Sequence, residues 1–254
     1  MPAPLFISHG APDVLIKNTP AHQAMKALRH HAEPLAYVII SAHWQSGNLR
    51  ITASDYPATI HDFHGFGAQL DAYRYPVPGA PRLASDIQAQ LKRHGLMAEL
   101  EMKRGLDHGA WIPMALIRPE ADIPVIQISL PRQDDQASLT LGDALADLRH
   151  QNIQIIGSGA LTHSLSDSLP MPETAAPASF AVAFRSSLAP AIEAADTERI
   201  MQWRTLPHAH RNHPTPEHLR PLLVAHAASG REPGKLLHTS WSRAALAMDI
   251  WAFE

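Results

Sequence analysis

Tyr37-Val38-Ile39-Ile40-Ser41-Ala42-His43-Trp44 is the stretch on which the fold turns. From Tyr37 to Ser41 it is nearly all apolar, with no polar alternation. A strand with apolar groups on both faces is covered on both sides, as in a parallel sheet sandwiched between helices. Residues 5–8, 49–53, 125–130 and 153–157 read the same way: short, β-branched or large apolar runs. Amphipathic segments separate them. Thr19-Pro20 can open a helix, with Thr as cap and Pro in the first turn. Residues 81–94 place Leu83, Ile87 and Leu91 on one face and stop before Gly95. Further helices are expected over 139–148 and 180–194, and from Thr215-Pro216-Glu217 to a stop before Gly230. Residues 245–253 suit a closing strand. The Pro- and Ala-rich stretch 169–178 reads as a loop or flap. This alternation predicts one α/β domain over residues 1–254, with three layers and a largely parallel central sheet.

Composition narrows the function classes. The chain has 254 residues, 45% of them hydrophobic, and a formal net charge of −3, so it can bury a large core but offers no basic face. Nucleic acid and membrane surfaces are therefore not expected partners. The opening Met1-Pro2-Ala3 lacks the pattern of a secretory leader, and no apolar run reaches membrane-spanning length; a cytoplasmic protein is expected. Homo-oligomerisation is compatible with this reading, since apolar faces that pair subunits look like core faces. There is no cysteine, so any metal must sit on His, Asp or Glu. The 17 histidines are the outlier. Of these, His30, His31, His94, His150, His226 and His238 read as surface scatter.

The remaining histidines fall at telling places. Residues 5–8 run into His9-Gly10 and residues 37–41 into Ala42-His43. Residues 153–157 lead through Ser158 to Thr162 into His163. Parallel strands share one carboxyl pole, where open α/β folds bind their ligands, so these three histidines are expected to converge. Taken singly, each is a polar residue ending a strand. His218, in the first turn of the helix expected from Thr215, is a fourth candidate or a plain helix-start residue. Asp107-His108-Gly109 sets an imidazole beside a carboxylate: His108 could exchange a proton with a substrate oxygen, with Asp107 as orienter or as helix cap. The loop His61-Asp62-Phe63-His64-Gly65-Phe66 suits a flat aromatic ligand, although Phe63 and Phe66 also read as core.

Together these pieces resemble the class III extradiol ring-cleaving dioxygenases, specifically the DOPA 4,5-dioxygenase-like branch. The matching segments are Ser8-His9-Gly10, Ser41-Ala42-His43-Trp44, the loop at 61–66, Tyr75-Pro76 through Gly79 and Asp107-His108-Gly109. They continue with residues 157–165 around His163 and with His213-Pro214-Thr215-Pro216-Glu217-His218. Their order spans nearly the whole chain. The resemblance implies that His9, His43 and His218 bind a metal. It makes His163 a fourth ligand without substrate, or the acid/base residue in turnover. It puts His108 in the pocket against substrate or oxygen. Relatives acting on protocatechuate-like substrates use a glutamate as third ligand, where this chain has His218.

The chemistry so implied is insertion of O2 into a catechol, a DOPA-like aromatic diol, at a mononuclear non-haem site, with Fe(II) expected for turnover and Zn(II) possible in the isolated protein. Substrate and O2 are then the small-molecule partners. The ligand set alone leaves two alternatives: a zinc hydrolase working through a His-ligated, metal-bound water, and a non-catalytic metal-binding protein. Arg220 could meet a substrate carboxylate but reads as an exposed helix arginine. No phosphate loop and no Gly-x-Ser-x-Gly elbow is present.

Overall fold

The long apolar runs pair side by side, as strands with two covered faces must. The computed structural model describes residues 1–30 and 33–254, without the side chain of His30, so His30 and His31 of the scattered set lie outside the described residues. The strands are β1 (Leu5–Ser8), β2 (Ala36–Ser46), β3 (Leu49–Thr52), β4 (Ala98–Glu101), β5 (Val125–Pro131), β6 (Ile153–Gly159), β7 (Gly234–His238), β8 (Trp241–Ser242), β9 (Leu246–Ala247) and β10 (Ile250–Phe253). The helices of eight residues or more are α1 (Pro20–Ala27), α2 (Pro81–Arg93), α3 (His108–Ile117), α4 (Asp135–Leu145), α5 (Ser179–Glu193) and α6 (Arg220–Ala228).

Eight strands form one sheet in the order β4-β3-β5-β2-β6-β1-β10-β7. Its centre, β5-β2-β6-β1, is parallel throughout. The β3-β5, β1-β10 and β10-β7 pairs are antiparallel, so the sheet is largely rather than wholly parallel. Strands β8 and β9 form a separate small hairpin. Side-chain alternation along the central strands explains the three layers. Tyr37 and Ile39 join a core with Met25, Trp111 and Met114 on one face; Val38 and Ile40 join Ile87, Leu141 and Val224 on the other. Among the described residues no helix is long and apolar enough to cross a membrane.

Most local signals hold. Thr19 Oγ1 accepts the His22 amide at 3.1 Å and so caps α1. The helix expected over 139–148 starts earlier, because the Asp134 carboxylate accepts the Ala137 amide and caps α4; it ends in a 3-10 turn at Ala146–Gln151. The expectation for Thr215 is corrected. Thr215 Oγ1 bonds the Glu217 carboxylate, the Leu219 and Arg220 amides turn back to the Pro216 carbonyl, and the helix begins only at Arg220, with Pro221 in its first turn. His218 therefore lies in the turn before α6. Arg220 is buried rather than exposed, its Nε donating to Asp135 at 2.9 Å. Of the scattered histidines, His94 and His150 are exposed, His238 is half-buried, and His226 is fully buried against the Thr197 hydroxyl.

Candidate metal centre

The parallel centre of the sheet carries β1, β2 and β6 to one pole, and each brings a histidine there. His9 follows β1 directly. His43 lies inside β2, where the ladder with β5 slips: Ser41 faces Ser129 and Gln45 faces Leu130. Ala42, His43 and Trp44 thus span a single step of the neighbour, a bulge that lifts the His43 ring out of the ladder. His218 is brought in by close packing against β6. The Ala160 amide donates to the His218 carbonyl at 2.9 Å, and a Cβ on Gly159 would stand 2.1 Å from that same oxygen. Only glycine leaves room there. Gly109, at the start of α3, plays the same part on the other side: a Cβ would meet Ser41 Oγ at 2.3 Å and His43 Cδ2 at 3.1 Å.

The Nε2 atoms of His9 and His43 are 3.1 Å apart, and those of His43 and His218 are 3.3 Å apart. Their other nitrogens fix the tautomers. The Ser158 hydroxyl spends its proton on the Gly109 carbonyl, so at 3.0 Å it must accept from His9 Nδ1–H. His218 Nδ1 faces Glu217 Oε1 at 3.1 Å, an oxygen that already accepts the Thr215 hydroxyl. Nε2 of His9 and of His218 therefore present lone pairs toward His43. Burial, aided by the neighbouring imidazoles, holds His9 and His218 well below the usual histidine range, and burial with the nearby His108 takes His43 down to about 3. Neutral His43 Nε2 carries at most one proton, so it cannot satisfy the lone pairs of both neighbours. A cation bonded to these nitrogens would resolve that conflict. The donor set fits a mononuclear metal, and the Ser158 hydroxyl on His9 Nδ1 and the Glu217 carboxylate on His218 Nδ1 aim the rings as metal-bound histidines require.

His108 also belongs to the cluster. A donor nitrogen on each of His9, His43 and His108 lies within 4.8 Å of the others, and the His43 and His108 ring centroids are 3.9 Å apart. Its expected orienter is corrected, however. Asp107 is fully buried and turns away to Gln127, Arg104 and Ser41; burial raises its carboxyl above the ordinary range. It occupies the cap position of α3 without a side-chain cap bond. The carboxylate on His108 is Asp62, whose Oδ1 meets His108 Nδ1 at 2.9 Å. Burial would raise Asp62, but its hydrogen bonds from His108 outweigh that and bring it to about 2. His163 stacks flat on His218, with centroids 3.4 Å apart and planes at 11°. Burial, with His213 nearby, takes it to about 3.

The cluster opens into a cavity of about 590 Å³ lined by His163, His108, Phe63 and Phe66 and by Leu165 and Leu169 at the edge of the expected flap. That volume suits a single-ring ligand, and the aromatic side chains border it without filling it. Phe63 is core as well, packed at 5.6 Å edge-on to His108. His61 faces away, to the Tyr73 carbonyl. Sequence reading missed the roles of Asp62, Ser158 and Glu217, and missed Arg243 and Met248 in the cavity wall. Asp62 and Glu217 each had a signal, a carboxylate beside a histidine; Ser158 and Arg243 had none.

Residues 5–252 match the family described as the catalytic LigB subunit of aromatic ring-opening dioxygenase. A 4,5-DOPA dioxygenase extradiol of Beta vulgaris is 38% identical over 256 residues, covering 98% of this chain and 95% of that one. A protein of the same description from Escherichia coli (strain K12) is 34% identical over 242 residues, covering 92% and 87%. A crystal structure of an uncharacterized protein from Escherichia coli K12 superimposes with a TM-score of 0.83 at 26% identity, covering all of both chains. The histidine cluster, the cavity beside it and the match along nearly the whole length lead to one conclusion: the chain belongs to the LigB family of metal-dependent aromatic ring-opening dioxygenases.

Proposed function

We propose that this ring-opening dioxygenase, extradiol like the relatives named above, acts on single-ring catechols of the DOPA kind, with His9, His43 and His218 holding Fe(II) and His163 and His108 moving protons. The observation that carries the reading is that His43 Nε2 lies 3.1 Å from His9 Nε2 and 3.3 Å from His218 Nε2, with all three residues on the wall of a cavity of single-ring size. Bound Fe(II) would supply open coordination positions for a catecholate and O2 together, and a path for electrons from the catecholate, the net reductant, to O2. Family membership favours an oxygenase over a zinc hydrolase or a metal-binding protein without turnover. Zn(II) is compatible with three imidazoles in the isolated protein.

The protein's own groups do the rest. His108 spends Nδ1–H on Asp62 and keeps Nε2 to take a proton from a substrate hydroxyl. His163, on the cavity wall against His218, is placed to take the second proton and return one to the opened product. Phe63 and Phe66 border the ring, and Leu165 and Leu169 limit water at the mouth. On this reading residues 1–254 form one catalytic domain in the cytoplasm.

The test is anaerobic reconstitution with Fe(II), or separately Zn(II), followed by DOPA and other catechols in air. Iron-dependent O2 uptake with a yellow ring-opened product, abolished in His9→Ala and His43→Ala, is expected. No uptake with any catechol at stoichiometric iron would overturn the reading.

A further inference from the structure

The cavity wall carries charged side chains of both signs. Two carboxylates, Asp62 and Glu217, sit at the histidine cluster, and both also line the cavity. Among the described residues, the only lysine or arginine lining it is Arg243. That arginine sits in the three-residue turn between β8 and β9, where Arg243 has φ +50° and Ala244 φ +62°. Non-glycine residues seldom adopt this left-handed region, but two in succession suit the tight reversal of a hairpin. The turn is tied down through the Arg243 amide, which donates to the Glu173 carbonyl, and the Ala244 carbonyl, which accepts from the Ala178 amide.

The guanidinium is held but not saturated. Nη2 donates to Asp13 Oδ2 at 2.7 Å, which fixes the plane of the fork. Nε is buried without an acceptor, since Glu173 Oε2 stands at 3.6 Å, too far for a hydrogen bond. Lys17 also pairs with Asp13 and Glu173, so the two acids do not depend on Arg243 alone for their counter-charge. A half-buried guanidinium with an unused donor at a cavity wall is a site for an anion, and its planar fork matches a carboxylate.

We propose that Arg243 reads a carboxylate on the side chain of the catechol and so sets which end of the substrate meets the histidines. The guanidinium holds the carboxylate of the side chain and leaves the diol free to meet the histidines. The diol is thereby presented to the cluster and the acid is not. The proposal makes Arg243 a specificity-determining residue for catechols bearing a carboxylate, and it rests on the catechol reading above.

The experiment uses the iron-loaded enzyme and compares kcat/KM for 3-(3,4-dihydroxyphenyl)propionate with that for 4-methylcatechol. The wild type should favour the acid, and in Arg243→Met that ratio should fall at least about tenfold, with Arg243→Lys in between, as expected on losing a charge-assisted contact. A ratio unchanged in Arg243→Met, whatever the absolute rates, overturns the proposal. A second measurement needs neither turnover nor a folded variant: calorimetric binding of 3-phenylpropionate against 3-phenylpropanol to the wild type. Tighter binding of the acid is expected; equal binding overturns the proposal. Failure of all catechols to react, with the acid still preferred in calorimetry, would instead sink the catechol reading and leave the anion site standing.

Discussion

Asp62 Oδ1 lies 2.9 Å from His108 Nδ1 and 3.0 Å from the His108 backbone nitrogen, so one carboxylate oxygen holds both the ring and the start of α3. An ionised carboxylate only accepts, which forces the proton onto Nδ1 and leaves Nε2 free. Asp62→Asn presents an amide that can also donate, and the tautomer is no longer dictated. We expect kcat to fall about 10- to 100-fold with iron content little changed, as for other groups that orient a catalytic imidazole. Steady-state O2 uptake beside metal analysis decides it; loss of iron in step with activity would place Asp62 in metal binding instead.

His218 and His108 compete for the role of third ligand beside His9 and His43. His218 Nε2 is 3.3 Å from His43 Nε2, whereas His108 is committed through its other nitrogen to Asp62. His218→Ala should lose stoichiometric iron, and His108→Ala should keep it while turnover drops by about 100-fold or more. Iron titration of the two purified variants gives the answer, and the reverse pattern would exchange their roles.

Gly159 tests how the His218 turn is seated. A Cβ at Gly159 would be 2.1 Å from the His218 carbonyl oxygen, which belongs to backbone and cannot swing aside. Gly159→Ala should cost about 1–3 kcal/mol of stability, by the usual cost of overpacking, and weaken iron binding as His218 shifts. Thermal unfolding with and without iron reads both effects; an unchanged melting temperature would mean the turn yields freely.

His226 should leave a mark on acid stability. Burial, with Arg231 nearby, lowers its pKa from 6.5 to about 4. The unfolded chain then binds a proton between pH 6.5 and 4 that the folded chain does not. This contribution is fully present above about 6.5 and is lost as pH falls through about 4, at on the order of 1 kcal/mol per pH unit within the window. Urea midpoints of the metal-free protein should hold steady from about pH 8 to 7 and drop below about 6.5, with a shallower drop in His226→Gln. Identical slopes in the two proteins would remove His226 from the account.

Legibility followed the range of the interaction involved. Strand runs such as 37–41 declare themselves because a two-sided apolar pattern is local, and so does the capping of α1 by Thr19. The turn at Thr215-Pro216 carried the same local signal and misled, because Thr215 bonds a carboxylate two residues on instead of a helix amide. Arg220 read as exposed because its partner, Asp135, is 85 residues away in sequence. His226 read as scatter for a like reason: Thr197, which it meets, is 29 residues distant.

The sequence by itself determined the layered α/β architecture and the sheet pole to which His9, His43 and His163 are carried, although β2 runs on through His43 to Ser46 instead of ending before it. It did so because side-chain periodicity is written in consecutive residues. Only the tertiary structure decided that Asp62 rather than Asp107 serves His108, that Ser158 and Glu217 set the tautomers of His9 and His218, and that Arg243 faces the cavity. Those choices depend on which segments the sheet order β5-β2-β6-β1 brings to one pole and on the glycines that let His218 approach. Hydrogen bonds of fixed length and direction select their partners in space, and spacing along the chain does not encode that selection.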